Sequence, residues 1–313
     1  MAPADFSYHI LKPPFPRDFV AWYPYIRPEV LGPRHERWRR WLLRVIDGET
    51  GMIDRMIAAR NSASGEWVGV VWTSTSITCP ELAHFGWFFV EDGCQGSGVG
   101  GHVIETSMSM LRDDGVRMVM LPTQLENERA IGMYYRRGWQ LSITDPSGGV
   151  WMVHEPPGYY RSFFAPDPGR PIRASAPEPV DFVALDYLLS RPAAPIRLLP
   201  LGLVGNRRFI SFTHDWDEGA YRVARQAGRP LALAAALPVD GWHKLDVFGL
   251  DRRAMSVAAA ALVEELPKSF AEVAATDSLR RRALEDAGMV PDGVHSAQVA
   301  GAKISLCRYS PGS

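Results

Sequence analysis

A run of glycines, Gln95-Gly-Ser-Gly-Val-Gly-Gly101, joins an aromatic apolar stretch, LAHFGWFFV, to a segment whose apolar residues Val99, Val103, Ile104, Met108 and Leu111 recur at helical spacing. Glycine lets a backbone curl until successive N–H groups converge, and the start of a helix adds partial positive charge to them. A strand, such a bend and a helix make a cradle for phosphate. Glycine also serves turns and tight packing, so the segment alone leaves a ligand role open. Two familiar phosphate motifs are excluded: there is no GxxxxGKS/T, and the glycine spacing with its following residues does not fit the dinucleotide pattern GxGxxG plus a later acid. The strands that precede the glycines read as hairpins, whereas a dinucleotide fold begins from parallel crossovers.

The patterns on either side give the order of elements. The stretch SYHILK predicts a strand, and amphipathic helical segments follow near 16–25 and 34–47. MIDRMIAARN and WVGVVWTSTS flank the turn SASGE as a hairpin. After the glycine-rich bend and its helix, VRMVMLP reads as a buried strand, and Asn127 caps a helix over ERAIGMYYRR that Gly138 ends. WQLSI and GVWMVHE then close a first domain at residues 1–155. The proline-rich segment 156–180 reads as a linker, with packing through Tyr159, Tyr160, Phe163 and Phe164 left open. A second domain, 181–313, is expected to hold helices near 181–190, 216–227, 251–266 and 277–287, and strands near 196–204, 207–213, 231–237, 244–250 and 270–275. Its ending in LEDAGM echoes YRRGW of the first half, which suggests a duplicated fold.

The strings QGSGVG and NERAIGMYYRRGW match Q/R-x-x-G-x-G/A and N-x-x-A-x-x-x-Y-x-x-x-G-F/W, and residues 5–155 thereby resemble the GNAT superfamily of N-acetyltransferases. The resemblance implies an α/β (α+β) fold: a mixed, mostly antiparallel GNAT-type sheet flanked by helices, here duplicated in tandem. It implies that acetyl-CoA or another acyl-CoA is the cosubstrate, with its diphosphate on the amides of Gln95, Gly96, Ser97, Gly98, Val99, Gly100 and Gly101. The pantetheine arm would pair with the backbone near Phe88, Phe89 and Val90, and Asn127 would bridge to it. The implied reaction is direct attack of an amine on the thioester, which needs alignment, a neutral amine, a stabilised oxyanion and a proton for the leaving thiolate.

Within that resemblance Tyr134 is the expected proton donor and Tyr135, about 100° around the helix, is not. A tyrosine packed in the core is the competing reading. His84 is the candidate base, against a core histidine as the alternative and Glu81, Glu91 and Asp92 as rivals. Trp22, Tyr23, Tyr25, Trp38 and Trp41 are expected to shape an acceptor pocket. Cys94 is read as incidental, since direct attack needs no acyl-enzyme.

The second half carries a lone Gly249 and Asp251 where the loop should be, and its last helix lacks the tyrosine, so a degenerate GNAT-like domain without acyl-CoA is expected. His214-Asp-Trp-Asp-Glu218 reads as a helix cap before GAYRVARQAG rather than a metal cluster, and no metal is expected. Lys plus Arg number 34 against 35 acids, which provides no field for nucleic acid or membrane. The longest apolar runs fall short of a membrane span. The N-terminus has no signal-peptide stretch, and the 3 cysteines show no metal or disulfide spacing, which together favour the cytoplasm. The expected partner is a small-molecule amine acceptor, and a homodimer is compatible with the second domain. A catalytically silent acyl-CoA sensor and a protein N-acetyltransferase are the competing functions.

Overall fold

Residues 6–11 and 53–61 open the fold as antiparallel partners, Phe6 opposite Asn61 and Leu11 opposite Met56. The computed structural model describes residues 5–26, 36–144, 149–191, 220–299 and 302–312, with backbone alone at 36–38, 143–144, 299 and 302. The chain divides into two units, the first ending at Pro156 and the second beginning at Pro157.

In the first unit β1 (Phe6–Leu11) leads to α1 (Arg17–Trp22), a 3-10 turn (Pro24–Ile26) and α2 (Glu36–Asp47). The strands β2 (Ile53–Asn61), β3 (Trp67–Thr75) and β4 (Leu82–Val90) form an antiparallel meander. Then follow α3 (Val99–Asp113), β5 (Met118–Gln124), α4 (Glu128–Tyr135), β6 (Gln140–Thr144) and β7 (Gly149–His154). The sheet order is β1-β2-β3-β4-β5-β7-β6, and β4 with β5 is its parallel pair. All nine residues of β3 are buried, so this strand is covered on both faces. On one face Val71, Ala83, Phe85, Val119 and Leu121 share a core with Val103 and Ile104 of α3 and Ala130 and Tyr134 of α4. Alternation along the strands sends Met56, Trp72, His84 and Met120, all buried, to the other face.

The second unit repeats this order. Its strands β8 (Arg173–Ser175), β9 (Ala220–Gln226), β10 (Arg229–Val239), β11 (Trp242–Gly249), β12 (Ser269–Ala274), β13 (Met289–Val299) and β14 (Ala302–Pro311) are arranged β8-β9-β10-β11-β12-β14-β13. Again one pair, β11 with β12, is parallel, and β12, β13 and β14 take the places of β5, β6 and β7. The helices α5 (Tyr159–Phe163), α6 (Phe182–Leu189), α7 (Arg252–Glu265) and α8 (Ser278–Asp286) accompany it.

Two expectations are corrected here. Residues 156–180 are no linker: Tyr159, Tyr160, Phe163 and Phe164 gather around Tyr187 of α6, and β8 pairs with β9. Aromatic burial outweighs what the prolines suggest. The helix expected near 216–227 is also absent from its described part, where Ala220–Gln226 is a strand closed onto β10 by Ala227 (φ 50°) and Gly228 (φ 84°), a two-residue turn of hairpin hand. Arginine and alanine suited a helix, but Tyr221 and Val223 alternate into the sheet core. The expected strands near 196–204 and 207–213 and the segment His214–Glu218 lie outside the described residues.

Candidate functional site

The site begins where the parallel pair comes apart. Strands β4 and β5 are in register only at Leu82 with Met118, Ala83 with Val119 and His84 with Met120. Beyond that β4 continues along β3 and β5 along β7. A bulge sharpens the divergence: Trp72 faces Gly86 but Val70 faces Phe89, and Trp87 takes φ 47° at the extra position. The Trp87 ring stacks on Trp72 with centroids 4.3 Å apart, which anchors this strained residue.

The bulge also switches which residues face the helices. Before it these are Ala83 and Phe85; after it, Phe88 and Val90, whose side chains lie against Gly100. Glu91 N donates to Val68 O at 2.9 Å, so the backbone groups of residues 89 and 91 point to β3 and those of Phe88 and Val90 point to the open edge. The edge has polar groups to offer where β5 has left.

The glycine-rich bend follows directly. Gln95 N donates to Asp92 O at 3.2 Å, and Ser97 donates to Cys94 O through both N (3.3 Å) and Oγ (2.6 Å). Gly98 is the N-cap of α3 with φ 92°, a left-handed conformation that a side chain would strain. It offers no capping side chain, and no acid lies in the first turn. The first helical bond is His102 N to Gly98 O, 3.0 Å, so the amides of residues 99–101 have no partner within the helix. An added Cβ at Gly100 would sit 2.9 Å from Phe88 Cζ, which explains the glycine where helix and strand meet.

Between this bend, the open edge and α4 lies a cavity of about 470 Å³. Of the residues expected to bind cofactor, Phe88, Phe89, Val90, Gln95, Gly96, Gly98, Gly100, Gly101 and Asn127 line it. Ser97 and Val99 do not: Ser97 is turned onto Cys94, and Val99 is fully buried with its methyl group against Gly69. Asn127 caps α4, its side-chain oxygen accepting from Ala130 N at 3.4 Å. The remaining wall includes Arg129, Arg136 and Arg137 of α4 and its C-terminal turn, and no carboxylate or imidazole among the described lining residues. These arginines were not singled out in the sequence, although the adjacent Arg-Arg of YYRRGW carried the signal.

Tyr134 is buried between Phe85 and Trp139, its ring centroid 6.2 and 5.6 Å from theirs, and it too is not among the residues that line the cavity, although its helix neighbours Ala130 and Met133 are. Burial, and secondarily the nearby Tyr25, hold its hydroxyl far above the ordinary phenol range. Tyr25 is a second residue that sequence reasoning did not separate from its neighbours: its hydroxyl donates to the open-edge carbonyl of Phe88 at 3.2 Å. Of the other early aromatics, Tyr23 and Trp41 are buried core, Trp22 Nε1 donates to Glu91 Oε1 at 2.8 Å, and the side chain of Trp38 lies outside the described residues.

His84 departs from its expected role. It is 1% exposed on the sheet face opposite Phe85, with its ring 5.0 Å from Trp72 and 6.4 Å from Trp151, and it does not line the cavity. This is the core histidine left open as the alternative, because the bulge falls two residues later and does not turn it toward the helices. Among the described residues no group of His, Cys, Asp and Glu could hold a metal, and no helix is long and apolar enough to cross a membrane.

No curated protein matches the sequence. Among solved structures, nourseothricin acetyltransferase is 23% identical over 32% of this chain and 64% of its own, with a TM-score of 0.29. An acetyltransferase of the GNAT family from Staphylococcus aureus Mu50 is 13% identical over 47% of this chain and 98% of its own, with a TM-score of 0.36. The NatC complex bound to Gag peptide and CoA gives 16% identity, 49% and 99% coverage and a TM-score of 0.40. The family model described as the acetyltransferase (GNAT) family matches residues 8–139, a span that includes the bend, the open edge and Tyr134, and the chain thus carries a GNAT acetyltransferase domain there.

Proposed function

We propose that the first unit binds an acyl-CoA in the cavity beside Gly98 and transfers its acetyl or other short acyl group to a primary amine. The observation that carries this reading is the uncapped start of α3: the amides of residues 100 and 101, unpaired within the helix, belong to residues that line a cavity whose described lining includes guanidinium groups and no carboxylate. That donor set fits a diphosphate. The open backbone edge at Phe88 and Val90 fits the amides of a pantetheine arm, which would add to the sheet as a short strand.

The acyl-CoA supplies an electrophilic thioester carbonyl. The chain supplies the rest. Backbone groups at the open edge orient the arm, and a backbone N–H there polarises the carbonyl. Tyr134 keeps its proton through neutral pH, because burial disfavours its anion. A thiolate released into apolar surroundings is disfavoured for the same reason, so a proton moves from phenol to sulfur as the C–S bond breaks, and the proton shed by the newly acylated nitrogen returns to the Tyr134 oxygen. No carboxylate or imidazole is among the described residues that line the cavity, so in this reading the attacking amine enters in its neutral form. kcat/KM therefore rises about tenfold per pH unit until the pKa of the acceptor itself is reached.

The test is thiol release from acetyl-CoA across a panel of small amines, run beside Tyr134→Phe. The expected result is turnover with at least one amine and a loss of about 100-fold in kcat for the variant, with acetyl-CoA affinity retained. Binding without thiol release for any amine would move the assignment to an acyl-CoA sensor. Unchanged turnover in the variant would remove Tyr134 as the donor.

A further inference from the structure

One α4 face carries more positive charge than a diphosphate on the loop amides needs. Arg129, Met133 and Arg136 follow one another at helical spacing, and all three line the cavity. Arg137 is occupied, with Nη2 donating to Glu105 Oε1 at 2.8 Å and Nη1 to Met133 O at 3.3 Å. The other two are not neutralised. Arg129 Nη1 donates to the amide oxygen of Gln95 at 3.0 Å, and neither it nor Arg136 has a carboxylate partner among the described residues. Arg136 lies back over Gly132, 3.4 Å from where a Cβ there would stand, so the glycine makes room for the guanidinium. Asp92, which precedes the bend, accepts from Gln95 Nε2 at 2.8 Å.

Two guanidinium groups that line one cavity without a carboxylate partner among the described residues suit a dianion. Given the proposed reading, the arm runs from Tyr134 along Phe88 and Val90, the diphosphate lies on residues 98–101, and the nucleoside end emerges past Gln95. We infer that Arg129 and Arg136 hold the 3′-phosphomonoester of the acyl-CoA, and that this domain discriminates between CoA and its 3′-dephosphorylated form. A phosphomonoester carries nearly two charges at neutral pH and three acceptor oxygens, which matches two forked donors. In the second unit, counted from the α8 cap Asp277 as α4 is from Asn127, the corresponding residues are Leu279 and Asp286. The arginine pair therefore belongs to the unit with the cavity and not to the repeat.

The experiment is calorimetric titration of the full chain with CoA and with dephospho-CoA, for the native protein, Arg129→Ala, Arg136→Ala and the double variant. Native protein is expected to prefer CoA by about tenfold or more, with the preference shrinking as salt is raised. The double variant is expected to bind both alike, and Arg136→Lys to recover part of the preference. Equal affinities in the native protein, or a preference that survives in the double variant, would overturn the inference while leaving acyl-CoA binding intact. If neither compound binds, the proposed function fails first and this inference with it.

Discussion

The helix that follows the fourth strand starts differently in the two units. In the first, α3 begins at Gly98 with no side chain over its free amides. In the second, α7 begins at Asp251, whose carboxylate accepts from Ala254 N at 2.8 Å. The same helix start is thus open in one unit and a self-satisfied cap in the other. The difference extends to the neighbouring gap. Strand β11 has no bulge against β10, and the residue just past its last parallel partner, Asp246, accepts from Arg280 Nη1 of α8 at 2.8 Å. Arg280 is fully buried and also donates through Nε to Asp277 at 2.8 Å. Where the first unit has an open edge and a cavity, the second has an ion triad spanning from strand to helix. Leu284 stands where Tyr134 would be. A repeated topology therefore does not repeat a site, since sites depend on caps, bulges and what crosses the gap.

The largest effect that would break this comparison lies in the triad. Arg280→Ala leaves Asp246 buried without its countercharge and is expected to cost about 3–5 kcal/mol in urea unfolding, with acyl-CoA affinity unchanged. A cost near zero would mean that the triad does not hold the second unit together. Next, Gly98→Asp imposes on α3 the carboxylate that α7 already has, and adds strain at φ 92°. An affinity loss for acetyl-CoA of about 100-fold, with far-UV circular dichroism preserved, is expected by calorimetry. Retained affinity would show that the helix start is not the anion site.

The smallest effect is a pH dependence. Burial pushes Asp246 up to about 6 despite the Arg280 guanidinium. Because the folded value lies above the unfolded one, near 3.8, the stabilising contribution is complete below the unfolded value and is lost as pH rises through about 6. Lowering pH from 7 to 5 is thus expected to raise stability by about 1 kcal/mol, a gain that disappears in Asp246→Asn. A gain that persists in that variant would assign the effect to another acid, of which Asp181, also raised to about 6 by burial, is the first to examine.

Much of the first unit was legible because local signals agreed with the tertiary outcome. The glycines of 95–101, the Asn127 cap and the aromatic strand each specify their own element. What was not legible depends on pairing between distant strands. The bulge at Trp87 decides that His84 goes to the core and Phe88 to the open edge, and nothing in LAHFGWFFV marks its position. Tyr25 acquires its role only by meeting Phe88 across 63 residues of chain. In the second unit the alternation of Tyr221 and Val223 was outweighed by helix-forming neighbours, and the terminal hairpin of β13 and β14 was hidden by Pro291 and Gly293, which sit at its register shift.

In the proposed reading, one helix start of two receives the diphosphate. Its most direct test is the stoichiometry of acetyl-CoA binding to the full chain by calorimetry, repeated with Gly98→Asp. The account predicts one site per chain, lost in the variant. Two sites, or one site that the variant leaves intact, would contradict it.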